Sequence, residues 1–196
     1  MVLSPHPFNN FTKIDFDDVP DETVIDNHYS NKGVRFESIT TAPPKQWSAY
    51  ARQHNDALTA PNIVSVHKSH LPLFDALDGG VQATFHKPQR FVSIGVRATV
   101  IDEFLTDPPL ARPFLMAFNY KGAFLPPTQY YPFVYGDAGW GNRVTLSFLA
   151  TSAEIGKVVF SCQIANHRVY GLFDHLVFSE DIPYFPPIPL GPGGAP

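Results

Sequence analysis

Every second residue of "FVSIGVRATVI" (residues 91–101) is apolar: Val92, Ile94, Val96, Ala98 and Val100 fall on one face, and Ser93, Gly95, Arg97 and Thr99 on the other. A period of two is that of a β-strand, and the pattern predicts a strand with one wet face. "KVVFSCQI" repeats it, with Val158, Phe160, Cys162 and Ile164 inward and Lys157, Ser161 and Gln163 outward. Further strands are expected in "VTLSFLA" from Val144, "FLMAFNY" from Phe114, "VQATF" from Val81, "NIVSV" from Asn62 and "VYGLFDHLVF" from Val169. In the last, Tyr170, Leu172, Asp174, Leu176 and Phe178 share a face by alternation. Turn signals such as "DGG" at Asp78 and "YKG" at Tyr120 separate these runs. Only residues 45–58 have room for a short helix, and their apolar spacing is poor.

Many short strands with scarcely a helix predict an all-β chain, an antiparallel β-sandwich of jelly-roll type with long loops. The chain divides into an N-terminal arm (1–12), the sandwich (13–180) and a tail (181–196) too rich in Pro and Gly to join a sheet. Twenty prolines in 196 residues, about twice the average share, agree with turns and loops over helices.

Charge narrows the partners. Charged residues are 16% and the net charge is −4, so no basic stripe for nucleic acid and no polybasic membrane patch is expected. No apolar run reaches membrane-spanning length. Cys162 is the single cysteine, which excludes an intramolecular disulfide and reads as a small buried hydrophobe. The opening "MVLSPHPFNNFTK" lacks a charged segment followed by an apolar run, so it is not a signal peptide as written. "NFT" at Asn10 fits a glycosylation sequon.

The acids cluster. Asp15, Asp17, Asp18, Asp21, Glu22 and Asp26 lie within a dozen residues, and such density is repulsive unless water, turn backbone or a cation takes up the charge. "VPDET" reads as a turn in which Pro20 fixes its own φ and Asp21 caps the bend. Asp17 ends an apolar strand, and Asp174 interrupts another. A carboxylate on an apolar face needs a partner: a lysine or arginine, a cation, or an exposed strand edge.

The stretch from Ile14 to Phe36 resembles the opening of bacterial extracellular β-sandwich domains associated with PEP-CTERM sorting tails. Phe16, Asp17, Asp18, Pro20, Thr23, Val24, Tyr29, Gly33, Val34 and Phe36 carry the likeness. "FDHLVF" (173–178) is similar to the family's closing strand, and "TAPNIVSV" and "ATFHKPQRFVSIGV" fit the middle loosely. The wider resemblance is to galactose-binding-like jelly rolls and carbohydrate-binding modules, many of which hold a structural calcium between first and last strands. It implies Ca2+ on Asp17 and Asp174, with Asp18 and carbonyls of residues 31–33 as further ligands. An extracellular or cell-surface setting follows only if a leader was trimmed, and no sorting helix follows the tail.

The segment 121–142 lacks a clean period and is rich in rings: Phe124, Tyr130, Tyr131, Phe133, Tyr135 and Trp140, beside Asp137 and Asn142. Sugar rings stack their C–H faces on aromatic planes while Asp and Asn take hydroxyls. The expected ligand-binding residues are therefore Trp140, Tyr131 and Asp137, with Trp47 in a second cluster beside Tyr50. The same rings also suit a sheet core or a loop clasp. "HKSH" places His67 and His70 on opposite faces of a strand, which disfavours a joint metal site. No nucleophile elbow, phosphate loop or dinucleotide fingerprint occurs. The expectation is a non-catalytic module binding carbohydrate or a surface partner. The alternative is a lyase, isomerase or cyclase with His28, His67 or His70 as acid or base.

Overall fold

Alternation along the chain is realised as strands in two facing sheets. The structure, a computed structural model, describes residues 11–39, 48–53, 59, 61–65, 80–100, 110–130, 133–134, 144–164 and 169–181. The first sheet runs in the order β11 (Val144–Leu149), β7 (Phe91–Val100), β13 (Val169–Ser179), β5 (Asn62–Ser65), β4 (Tyr50–Gln53), β2 (Thr23–Val24), and β1 (Thr12–Ile14) also pairs with β13. The second runs β10 (Phe133–Val134), β8 (Leu110–Asn119), β12 (Ile155–Ile164), β6 (Gly80–Gln89), β3 (Val34–Ile39), and β9 (Phe124–Tyr130) also pairs with β8. A 3-10 turn, η1 (Ser30–Lys32), precedes β3. The described pairings are antiparallel, and successive strands β6, β7 and β8 alternate between sheets, as do β11, β12 and β13. This is the expected antiparallel β-sandwich.

The inner faces interlock. Val92, Ile94, Val96, Leu146, Phe148 and Phe173 from one sheet meet Phe36, Ala83, Phe85, Leu115, Val158 and Phe160 from the other in one core. Rings bridge the sheets: Phe160 lies 5.0 Å from Phe173, and Phe85 lies 4.9 Å from Phe178, centroid to centroid. Each such ring contributes roughly 1.5–3 kcal/mol by burial. A second pair, Ile63 and Leu172, is buried outside this core.

Four expectations change. Residues 50–53, inside the segment read as a short helix, form β4, because pairing with β5 and β2 supplies what the poor helical spacing lacks. The second face of β7 is not wet over 91–96: Phe91 and Ser93 are buried too, and the Phe11 ring packs edge-on against Phe91 on that face. Part of the patternless segment 121–142 is ordered as β9 and β10 on β8. Pro126 and Pro127 in β9 lack an N–H, which an outer strand tolerates. Finally, β13 does not keep one alternation throughout. The arm up to residue 10, the tail beyond Asp181 and the "DGG" turn lie outside the described residues.

Candidate functional site

The break in β13 places the centre. Asp174 pairs with Gly95 and Val177 with Ser93, so two residues of β13, His175 and Leu176, face the single Ile94 of β7. That is a β-bulge, and His175 adopts φ 57° to make it. The extra residue reverses the phase: Phe173 before the bulge and Leu176 and Phe178 after it all join the core. The single apolar face expected for Tyr170, Leu172, Asp174, Leu176 and Phe178 is thereby split. The bulge also marks a change of neighbour. Upstream, Phe173 pairs with Val64 of β5; downstream, Leu176 and Phe178 pair with Ile14 and Thr12 of β1.

Asp174 sits at that fork, fully buried. Its carboxylate accepts the backbone N–H of Thr59 at 2.6 Å and that of His175 at 2.6 Å. The Thr59 hydroxyl donates to both oxygens, at 3.1 and 2.9 Å. On the other side of the fork, Phe16 takes φ 62° at the end of β1. Its ring turns into the core against Tyr29 and Phe36, and the next residue, Asp17, accepts the N–H of Asn62 at 2.8 Å. The buried Asn62 amide donates to the carbonyls of Phe16 and Val19, both at 2.8 Å. The approach to β5 is thus clamped from two sides, Thr59 by Asp174 and Asn62 by Asp17.

Burial pushes the Asp174 carboxyl above its ordinary value; the Thr59 and His175 donors oppose this, and the negative charge of Asp17 adds to it. Among the described residues no lysine or arginine forms an ion pair with either acid. The lysine or arginine partner that the sequence left open is replaced by N–H and O–H donors. Thr59 and Asn62 were not singled out from the sequence as site residues. Their only signal was two short polar side chains just ahead of an apolar run.

Four other acids of the cluster have partners of their own. Asp21 accepts the N–H of Glu22 and that of Gln53 in β4, at 3.0 and 2.7 Å. Asp26 accepts the N–H of Ala49 at 2.9 Å, and Asp15 pairs with Lys13. Asp18 accepts the Tyr29 hydroxyl at 2.5 Å and the Lys32 ammonium at 3.1 Å. Burial alone would raise the Asp18 carboxyl, but Tyr29 and Lys32 outweigh it and hold it below its usual range. Asp18 and the Gly33 carbonyl, which accepts the N–H of His86, are engaged away from the Asp17–Asp174 pair.

Trp140, Tyr131, Asp137 and Trp47, the expected ligand-binding residues, lie outside the described residues, as do His67 and His70. Of the neighbouring rings, Phe124 is exposed and stands edge-on to Phe118, over which Lys157 places its ammonium. His28 lies on an exposed turn, edge-on to Tyr29 at 4.8 Å. Asp174 binds the backbone N–H of His175. No helix among the described residues is long and apolar enough to cross a membrane, which says nothing of a β-barrel.

No protein-family profile matches the sequence, and no curated protein matches it. Solved structures match in fold. A cleaved adhesin domain of Lys-gingipain shares 14% identity, with 86% of this chain and 99% of that one aligned, at a TM-score of 0.50. A xylan-binding domain of a carbohydrate-binding module shares 12% identity over 91% of this chain and 99% of its own, at 0.43. The carbohydrate-binding and xylanase modules of a Clostridium thermocellum endo-1,4-beta-D-xylanase, solved with xylohexaose, share 9% over 88% of this chain, at 0.43; the chain spans only 30% of that protein's length. At these identities the likeness is one of fold: the chain is a β-sandwich of the same extent as an adhesin domain. The narrower PEP-CTERM relation finds no support in these comparisons.

Proposed function

We propose that this chain is a non-catalytic binding module that recognises carbohydrate or a surface partner and is stabilised by a calcium ion at Asp17 and Asp174. The observation that carries the binding reading is the match, over 99% of its length, to an adhesin domain. Carbohydrate is the ligand class favoured by the aromatic segment, where Trp140, Tyr131 and Asp137 would stack on and bond a sugar, with Trp47 as a second platform. An extracellular or cell-surface setting would go with that ligand class if a leader peptide has been trimmed.

The calcium reading rests on two buried or half-buried carboxylates that repel one another, with no lysine or arginine paired to either among the described residues. Calcium takes six to eight oxygens in loose geometry. Asp17 and Asp174 would supply two of these ligands, with water completing the shell. Among the described residues no third acid or histidine joins the two.

A thermal-shift screen against soluble polysaccharides and simple sugars, in calcium and again in chelator, tests both parts. A ligand that binds only the folded state raises the melting temperature by mass action. The expected result is a shift with at least one polysaccharide that Trp140→Ala or Trp47→Ala removes without lowering the unliganded melting temperature. Silence across the panel would bring forward the enzyme alternative.

A further inference from the structure

We propose that a polar cleft on the described surface is a second contact for the same class of ligand, taking the hydroxyl edge of one neutral sugar unit. The inference rests on the carbohydrate reading and gives it a site distinct from the aromatic segment. The cleft, about 310 Å³, lies where η1, the end of β6 and the end of β13 converge, and its size is that of a pocket for one small ligand. Its walls are tied by backbone. His86 donates its N–H to Gly33 at 2.8 Å, Arg90 donates to Ser179 at 2.8 Å, and Thr12 of β1 pairs with Phe178. A cleft fixed in this way loses little freedom when a ligand enters.

The lining decides the chemistry. Lys32, Lys87 and His86 face Glu180 across it, with Asn31 and Ser30 on the η1 side. Lys87 pairs with Glu180 at 3.5 Å, and Lys32 with Asp18, outside the lining, at 3.1 Å. The cations are therefore compensated, which leaves no surplus positive charge for an anion. What remains is a mixture of ammonium donors, a carboxylate acceptor and an amide that does both, the set that sugar hydroxyls require. Phe178, the one phenyl ring in the wall, is buried, and the exposed His86 imidazole is the ring that borders the cleft. The cleft would grip the edge of a sugar and leave face stacking to the aromatic segment.

A second observation points the same way. The Ser30 hydroxyl oxygen, in the cleft wall, is buried and has no hydrogen-bond partner among the described residues. A buried hydroxyl left unpaired costs about 1–3 kcal/mol. Rotation about its χ1 bond gives it other staggered positions, and an incoming hydroxyl supplies the missing partner.

The test is an amide NMR titration of the full chain with galactose, glucose, xylose, xylo-oligosaccharides and glucuronate as probes. Saturable shifts are expected for the amides of residues 30–33 and of His86, Lys87 and Gln89 with a neutral sugar. Ser30→Ala and Asn31→Ala should each weaken that binding at least fivefold. Ser30→Ala should at the same time leave the unliganded melting temperature unchanged or higher, because it removes an unpaired buried group; a merely structural serine would lower it. The proposal is overturned if only glucuronate shifts these amides, if no neutral sugar does, or if both variants bind like the wild type. A polysaccharide that binds the chain but perturbs only residues 131–142 would overturn the cleft and leave the module reading standing.

Discussion

Asp174 receives both the backbone N–H and the side-chain hydroxyl of Thr59, a residue 115 positions earlier in the chain. The contact joins the last strand to the segment that leads into β5, at the point where β13 exchanges one neighbour for another. With Asp17 and Asn62 it closes the fork between β1 and β5.

Removing the acceptor leaves the backbone N–H and hydroxyl of Thr59 without their partner. Asp174→Ala, measured in chelator by urea denaturation, should therefore lose about 2–4 kcal/mol, since an unsatisfied buried donor costs roughly 1–3 kcal/mol. Thr59→Val keeps the N–H bond and the shape and should lose only about 1 kcal/mol. Equal losses in the two variants would mean that the backbone N–H contributes nothing.

Calcium should raise the melting temperature of the wild type and chelator should lower it. Asp174→Ala or Asp17→Ala should abolish the difference, because among the described residues no further acid or histidine joins the two. A wild type indifferent to both additives would dismiss the cation and leave the hydrogen-bonded clamp as the whole of the centre.

The two perturbed carboxyls predict opposite responses to pH. Asp18 is held below its ordinary 3.8, so it binds its proton less readily when folded. The stability it supplies is present above 3.8 and is lost as pH falls through the depressed folded value. Asp174 is raised above 3.8, so its contribution is fully present below 3.8 and is lost as pH rises through the raised value. In chelator, the destabilisation caused by Asp18→Asn should shrink on acidification, whereas Asp174→Asn should gain on the wild type as pH rises above 4. Calcium favours ionised Asp174 and should reverse the second trend. Melting curves from pH 3 to 7 decide it; parallel curves for all three proteins would contradict both assignments.

The bulge makes a prediction about backbone. His175 occupies the left-handed region, φ 57°, where a Cβ costs roughly 1–2 kcal/mol and glycine nothing comparable. His175→Gly should be neutral or stabilising by up to about 1 kcal/mol, and His175→Val destabilising by about 1–2 kcal/mol, measured by thermal unfolding. If both variants lose equally, the imidazole itself has a structural role.

Much of the scaffold is legible in the pattern. Val92, Ile94 and Val96, and Val158 and Phe160, reach the core as alternation requires, and the runs at Val81, Phe114, Val144 and Val169 all become strands. Tyr120 and Lys121 form the expected turn, with Asn119 accepting the N–H groups of Lys121 and Ala123. Alternation failed where a distant segment overrode it: β4 is held by pairing with β5 and β2, and over 91–96 the second face of β7 is buried as well, with Phe11 against Phe91. Asp17 and Asp174 were visible as acids in apolar company. Their donors were not, because nothing local links Thr59 or Asn62 to residues 45 or more positions away.

The sequence by itself determined that this chain folds as strands, that its core is aromatic and aliphatic, and that two acids would need partners. Each of those follows from local period, composition and the cost of burying charge. The tertiary structure alone decided which strands are neighbours, where β13 slips its phase, and that Thr59 and Asn62 answer the two acids. Strand pairing and register are set by contacts between distant segments, and a one-residue bulge reverses every side chain beyond it.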